Sequence, residues 1–274
     1  MISVETMIIG IIGYGVVGKA ADKTFTKHYE TIKYDKFQDL SNFNDLKKCE
    51  FVFIMVPTPF NCVNNRVDDS AILESLSKLE EIEYTNIVVI KSTIPPGYTQ
   101  RYNKNFNLKI AFNPEFLRES TTPNEDFQNQ EQVIIGTAEN SIFESIKSMY
   151  EKVLGSNVEY YQTTFKESEM IKCAQNTMLA SRVAIANMIY DACLDNKVDY
   201  QKVKRLAFDN FEILGPHMTQ VPGPDGKRGF GGKCLPKDIR ALSTVSDSRL
   251  LKEIINYNNS LRDDLDKFLM NYKI

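Results

Sequence analysis

The chain has 274 residues, 33 basic and 36 acidic, with a formal net charge of -3. At roughly 150 residues per domain this length predicts two domains, and the near-balance of charge excludes a nucleic-acid-binding surface spread over the whole molecule while leaving room for a local anion site. Hydrophobic residues make up 42%, enough for a core, but no run approaches the roughly 18 apolar residues of a membrane span, and Glu5 stands where a secretory signal would be basic. A soluble, cytoplasmic protein with no membrane and no nucleic-acid partner is expected.

Short β-branched runs alternate with amphipathic stretches up to about residue 162. The runs cover residues 8–12, 31–34, 51–56, 87–90, 108–112, 132–135 and 158–161. They are nearly continuous rather than alternating, as strands covered on both faces should be. Residues 15–26, 69–81 and 138–153 between them carry helix-period apolar positions, so the rhythm predicts a doubly wound parallel sheet. From residue 165 to about 196 there is no Gly or Pro, and apolar residues recur through Met170, Ala174, Met178 and Ile185; this predicts one long helix. A shorter helix follows over 200–210, then a breaker-rich loop over 215–232, a helix opened by Pro236, and a last amphipathic helix over 249–271. The fold class is α/β, with an N-terminal domain at 1–163 and an all-helical domain at 164–274.

The cysteines, Cys49, Cys62, Cys173, Cys193 and Cys234, are odd in number and lack CxxC spacing, which excludes a disulfide framework and a zinc cage. The imidazoles His28 and His217 do not sit at metal-ligand spacing, and no metal is expected.

Gly13-Tyr14-Gly15-Val16-Val17-Gly18 leaves the first predicted strand and opens a helix. In a GxGxxG turn of this kind the first glycine permits the tight turn, the second lets the backbone approach a pyrophosphate, and the third allows close helix–sheet packing. Asp35 closes the next strand 22 residues after Gly13, where a carboxylate can accept the ribose hydroxyls. This Rossmann-type arrangement favours NAD over NADP, although Lys33 and Lys36 beside Asp35 pull the other way.

Ligands of open parallel sheets bind beyond the carboxyl ends of the strands. Thr93, in Lys91-Ser92-Thr93, and Glu115 and Glu119, in Asn113-Pro114-Glu115-Phe116-Leu117-Arg118-Glu119, leave such ends. If residues 115–119 form one helical turn, the two carboxylates share a side. On their own these residues read better as solvated turn and capping groups. Lys172 and Asn176 are spaced i,i+4 on the long helix, which reads by itself as a surface strip, while Cys173 and Cys193 read as buried small hydrophobes. In Gly229-Phe230-Gly231-Gly232-Lys233-Cys234-Leu235-Pro236-Lys237-Asp238 a thiol stands at the mouth of a helix with a lysine nearby, a setting that favours the nucleophilic thiolate.

Taken together, these segments resemble the UDP-glucose/GDP-mannose dehydrogenase family. The likeness runs in order through the glycine turn, VPTP at 56–59 with Thr58, KSTIPPG at 91–97, NPEFLRES at 113–120, KCAQNTMLA at 172–180, GFGGKCLPKD at 229–238, and Asn258-Asn259 with Arg262. The resemblance implies two-step oxidation of a nucleotide-sugar C6 alcohol to the acid with NAD as cofactor, in a homodimer formed through the long helices. It implies that Cys234 traps the aldehyde as a thiohemiacetal and then a thioester, that Lys172, Asn176 and Asp238 handle the reacting oxygen and water, and that Glu115, Thr93 and Glu119 complete the catalytic set. Cofactor contacts would come from Gly13, Gly15, Val16, Val17, Gly18, Asp35, Lys36, Thr58, Thr93, Glu119 and Lys237. Substrate contacts would come from Glu115, Phe116, Leu117, Lys172, Asn176, Phe230, Gly231 and Cys234. Two departures accompany the likeness. The family's C-terminal UDP-binding domain has no counterpart in this sequence, and the family's Arg-Ile-Gly is replaced by Ile213-Leu214-Gly215, so that Lys227 or Arg228 is expected to supply that cation. A β-hydroxyacid-type dehydrogenase acting on a smaller substrate, or a non-catalytic dinucleotide-binding partner subunit, are the alternatives.

Overall fold

A computed structural model describes residues 7–118, 121–155, 157–215 and 218–262. The elements in chain order are β1 (Ile8–Ile12), α1 (Val16–Phe25), β2 (Glu30–Tyr34), β3 (Phe51–Ile54), β4 (Phe60–Asn61), β5 (Arg66–Val67), α2 (Ser70–Glu81), β6 (Ile87–Ile90), α3 (Tyr98–Asn105), β7 (Lys109–Phe112), α4 (Pro123–Gln128), β8 (Gln132–Gly136), α5 (Asn140–Leu154), β9 (Glu159–Thr163), α6 (Phe165–Asp195), α7 (Tyr200–Lys204), α8 (Leu235–Ser243) and α9 (Arg249–Leu261). They fall into two compact units, one of Met1–Thr58 and Asp68–Lys172, the other of Pro59–Val67 and Cys173–Ile274.

The first unit is built on a seven-stranded sheet of order β2-β1-β3-β6-β7-β8-β9. Successive side chains of a strand point to opposite faces, and both faces are apolar here. Ile9, Ile11, Phe53, Val89 and Ala111 pack against Phe25 of α1 and Ile142, Ile146 and Tyr150 of α5. Val52, Ile54, Val88, Ile90 and Ile110 pack against Ile72, Leu76 and Leu79 of α2 and Tyr102 of α3. These are the continuous apolar runs of the sequence, converted into a sheet with helices on both sides.

The β2-β1-β3-β6-β7 and β8-β9 pairings are parallel, as the crossovers predict. The link between β7 and β8 differs from the other pairings of this doubly wound sheet: it is a single antiparallel bridge, Phe112 to Gly136. Pro114 explains the interruption, since a residue without an N–H cannot extend a ladder. The Asn113 amide donates instead to the Ile134 carbonyl at 2.8 Å.

In the second unit α6 runs for 31 residues. Ala180 and Ala184 of α6 pack with Phe230, Ile239 and Leu251, and Ala186 and Cys193 pack with Tyr200 and Val221. The buried side of α6 is therefore not the stripe singled out from the sequence: Met170, Met178 and Ile185 are exposed, as is Ala174, and small or polar residues face inward instead. The last helix is described to Leu261, and the rest of its expected span lies outside the described residues. The hairpin β4–β5 joins this unit through Phe60 and Val67, which pack on Ala241 of α8. Among the described residues no helix is long and apolar enough to cross a membrane.

Gly13 fixes the turn after β1. Its φ is +93°, and a Cβ there would stand 2.6 Å from the Met55 carbonyl oxygen. Gly13→Ala should lower the unfolding free energy by about 2 kcal/mol or more, through left-handed strain and the clash together, as measured by urea denaturation; an unchanged midpoint would contradict this account of the turn.

Candidate active site

The glycine turn presents the features a pyrophosphate requires. Gly15 has nothing within 4 Å of the position a Cβ would take, so its backbone is open to close approach, whereas a Cβ at Gly18 would run into the Gly13 carbonyl. Val16 and Val17 begin α1, Val16 exposed and Val17 packed on the core. Asp35 follows β2, with Oδ2 accepting from the Tyr14 N–H at 2.8 Å and Oδ1 from the Phe37 N–H at 2.9 Å. Each carboxylate oxygen keeps capacity for another donor, as recognition of a ribose diol needs. Tyr14 is anchored from below by its hydroxyl, which donates to Asp22 at 2.5 Å; burial, together with this bond and the Asp22 charge, pushes the phenol up to about 12. Residues of this unit thus fit a dinucleotide.

Beyond the ends of β3, β6 and β7 the chain places buried polar groups. The Thr58 hydroxyl donates to the Thr93 carbonyl at 2.7 Å, and that of Ser92 to the Val56 carbonyl at 2.7 Å; Thr58 and Thr93 are both buried. Residues 113–118 form no helix, which corrects the conditional helical turn at 115–119. The residue before a proline avoids the helical region, and Glu115 Oε2 accepts from the Leu117 N–H at 2.9 Å, closing a local turn. Its Oε1 lies 3.3 Å from Lys172 Nζ, in a pair whose side chains are 11% and 4% exposed. The Lys172 ammonium also stands 5.3 Å from the centre of the Phe116 ring. Leu117 packs on the core of the sheet. Lys172 and Asn176 are thus not a surface strip, since both are buried. Glu119 lies outside the described residues.

Two residues of this unit were not singled out by the sequence reading. Lys91, fully within the core at the end of β6, donates to Asn113 Oδ1 at 2.8 Å and to the Asn113 carbonyl at 3.3 Å, and the Tyr150 hydroxyl donates to the same Oδ1 at 2.8 Å. Burial pushes the Lys91 ammonium down to about 7, with Glu115 opposing the shift and Lys172 adding to it. The available signal was a lysine closing a continuous apolar strand. Glu169 is fully buried and accepts from the backbone N–H groups of Gly97 and Thr99, satisfying orphan donors at the start of α3; burial raises its carboxyl above the ordinary range.

In the helical unit, Cys234 is the residue immediately before α8 and is half-buried. The next turn carries Asp238, fully buried, whose Oδ2 accepts from the Asn176 amide and whose Oδ1 lies 3.0 Å from Lys237 Nζ. The glycine-rich loop before Cys234 is pinned from two helices. Asn187 Oδ1 accepts from the Gly229 N–H at 3.1 Å, and Asn258 takes the Phe230 N–H at 2.7 Å and donates to its carbonyl at 3.1 Å. The Phe230 side chain is in the core of the unit, and the Arg262 guanidinium lies so close to Gly231 that a Cβ there would be 2.5 Å from its central carbon. Arg228, a candidate substrate cation from the sequence, is paired with Asp191 and lies 5.2 Å from the Tyr190 ring centre. His217 is outside the described residues. No group of His, Cys, Asp and Glu able to hold a metal occurs among the described residues.

A glycine turn after β1 with an acid after β2, on a sheet wrapped by helices, defines a dinucleotide-binding α/β protein. Residues 19–154 match the family model described as UDP-glucose/GDP-mannose dehydrogenase family, NAD binding domain, and residues 166–260 match that family's central domain. The chain belongs to the UDP-glucose/GDP-mannose dehydrogenase family. A UDP-glucose 6-dehydrogenase of Rickettsia bellii is 31% identical over 251 residues, covering 86% of this chain and 55% of the relative. One from Pseudomonas aeruginosa is 30% identical over 226 residues, covering 76% and 48%. The chain therefore spans about half the length of the curated relatives it matches. A UDP-glucose dehydrogenase structure from Pyrobaculum islandicum shares the fold, with a TM-score of 0.81 at 21% identity over 95% of this chain and 69% of that one.

The buried lysine yields a signed pH dependence. Below about pH 7 folded and unfolded chains both carry the proton; between about 7 and the ordinary value of 10.5 only the unfolded chain does. Stability should therefore rise with pH across that window, by up to about 1.4 kcal/mol per unit from this group. Urea unfolding of wild type and Lys91→Met at about pH 6.5, 8 and 9.5 should show the wild type gaining steadily on the variant. Parallel curves would refute the buried, deprotonating amine.

Proposed function

We propose that this chain oxidises the C6 primary alcohol of a UDP-glucose-like nucleotide sugar to the carboxylate, with NAD as cofactor. The observation that carries the reading is Cys234 at the entrance of α8, in a glycine-rich loop, with a buried Asp238–Asn176 pair one turn on. When bound, NAD supplies the acceptor for the hydride lost from C6 at both oxidation stages. Cys234 Sγ bonds to the aldehyde carbon as a thiohemiacetal, holds the acyl group as a thioester, and leaves as thiolate when water adds, giving the acid. The N-terminal dipole of α8 favours that thiolate.

Asn176 and Asp238 position the attacking water and the Asp238 carboxylate takes its proton, while Lys172 stabilises charge developing on the reacting oxygen. A cation only 4% exposed acts on such charge with little screening, and Glu115 keeps it oriented. The family likeness supports a role beside the cofactor for Thr93 and Glu119, and a role toward both substrate and cofactor for Lys237. Phe116, Leu117, Phe230 and Gly231 shape the sugar site, Phe230 by fixing the loop from within the core. The exposed Met178, Ile185 and Met188 of α6 supply the apolar face for a homodimer.

Purified protein supplied with NAD and a panel of UDP- and GDP-sugars should form two NADH per acid. One NADH per sugar consumed, with the aldehyde rather than the acid as product, would mean a simple alcohol dehydrogenase and would reject the thioester route. Cys234→Ala should lose acid formation by roughly a thousandfold or more while still binding NAD; full turnover in this variant would favour a β-hydroxyacid-type dehydrogenase instead.

A further inference from the structure

The end of β2 poses a charge problem that its sequence leaves open. Asp35 suits a ribose diol, yet Lys36 follows it directly and Lys33 precedes it by two positions. A cation on this side of the ribose is what accommodates the 2′-phosphate of NADP. In the folded unit both lysines face acids from neighbouring helices. Lys36 Nζ lies 2.9 Å from Glu74 Oε2 on α2, and the other oxygen of Glu74 takes Lys78 Nζ at 2.8 Å. Lys33 Nζ lies 3.6 Å from Asp22 Oδ2 on α1. Asp22 is itself fixed by the Tyr14 and Thr31 hydroxyls at 2.5 and 2.6 Å.

We propose that Glu74 enforces NAD over NADP in this chain by holding the Lys36 ammonium on α2, away from the ribose edge that Asp35 serves. The inference rests on the dinucleotide reading of the glycine turn and adds to it a residue from an element outside the turn. The Lys33 pair sits deeper, with side chains 30% and 11% exposed, while Lys36 and Glu74 are 50% and 39% exposed. An ion pair that open contributes little to stability, so its consequence lies in where the lysine charge is kept. A four-carbon side chain released from Glu74 has the freedom to meet a phosphate placed beside Asp35. With the pair intact, an incoming 2′-phosphate meets the Asp35 carboxylate while the Lys36 ammonium stays with Glu74 on α2.

The test is direct binding of NAD+ and NADP+ to the full chain by titration calorimetry at low and moderate salt. Glu74→Gln should raise NADP+ affinity by about five- to tenfold, the size of one partly screened charge interaction, and leave NAD+ affinity within about twofold. The gain should shrink as salt is added, and should vanish in Glu74→Gln/Lys36→Gln, because it is Lys36 that binds the phosphate. Unchanged NADP+ affinity in Glu74→Gln that still binds NAD+ would overturn the proposal alone. A gain that survives loss of Lys36 would also overturn it, by assigning the effect to removal of the Glu74 charge. Absence of NAD+ binding to the wild type would bring down the dinucleotide reading and this inference with it.

Discussion

A charged side chain taken out of water must be paired, hydrogen-bonded or neutralised, and the carboxyl ends of β6 and β7 meet that demand in two ways. Lys172 is paired with Glu115. Lys91 is given two oxygens of Asn113, with Tyr150 bonded to the same amide, and burial pushes its ammonium down. Asn113 is therefore held by α5 through Tyr150, by β6 through Lys91 and by β8 through the Ile134 carbonyl. Two residues later the chain presents Glu115, whose carboxylate is locked by the Leu117 N–H and by Lys172. The geometry of the segment 113–118 is thus set by buried polar bonds rather than by a helix, and truncating one partner leaves another group buried without its bond.

The same logic recurs at the other groups the chemistry calls on. Asp238 is fully buried and bound to Asn176, and the loop leading to Cys234 is held by side-chain amides from α6 and α9. Amides suit this task because they donate and accept without carrying charge, so they can fix backbone in the interior at little desolvation cost. Asn187, Asn258 and Arg262 consequently matter to the cysteine loop although none of them is a reacting group.

Much of the first unit is readable from its residues, because strands covered on both faces leave β-branched runs with clear ends; the runs 8–12 and 87–90 coincide with β1 and β6. The turn at Gly13 and the length of α6 are equally legible, the latter from an absence of breakers. Three things are not. The hairpin Phe60–Val67 consists of two-residue strands, too short for any periodicity to register. The orientation of α6 is hidden because its inward side is made of alanine, asparagine and lysine, while Met178 and Ile185 point outward, so the apolar stripe marks the wrong face. The partners of Lys172 and Lys91 come from residues 57 and 22 positions away, and no local pattern carries such a distance.

The small hairpin has a consequence for how this polypeptide could ever be taken apart. Its chain leaves the sheet-bearing unit after Thr58 and returns at Asp68, then leaves again after Lys172. A gene cut once at the head of α6 would not release two self-sufficient pieces: the N-terminal fragment would carry Phe60, 1% exposed in the whole protein, without the α8 surface that covers it. The α8 fragment would lose the strands that shield Ala241. Modularity, in this chain, does not follow the linear order of its sequence, and any recombination that treats it as two beads on a string inherits a greasy, uncovered loop.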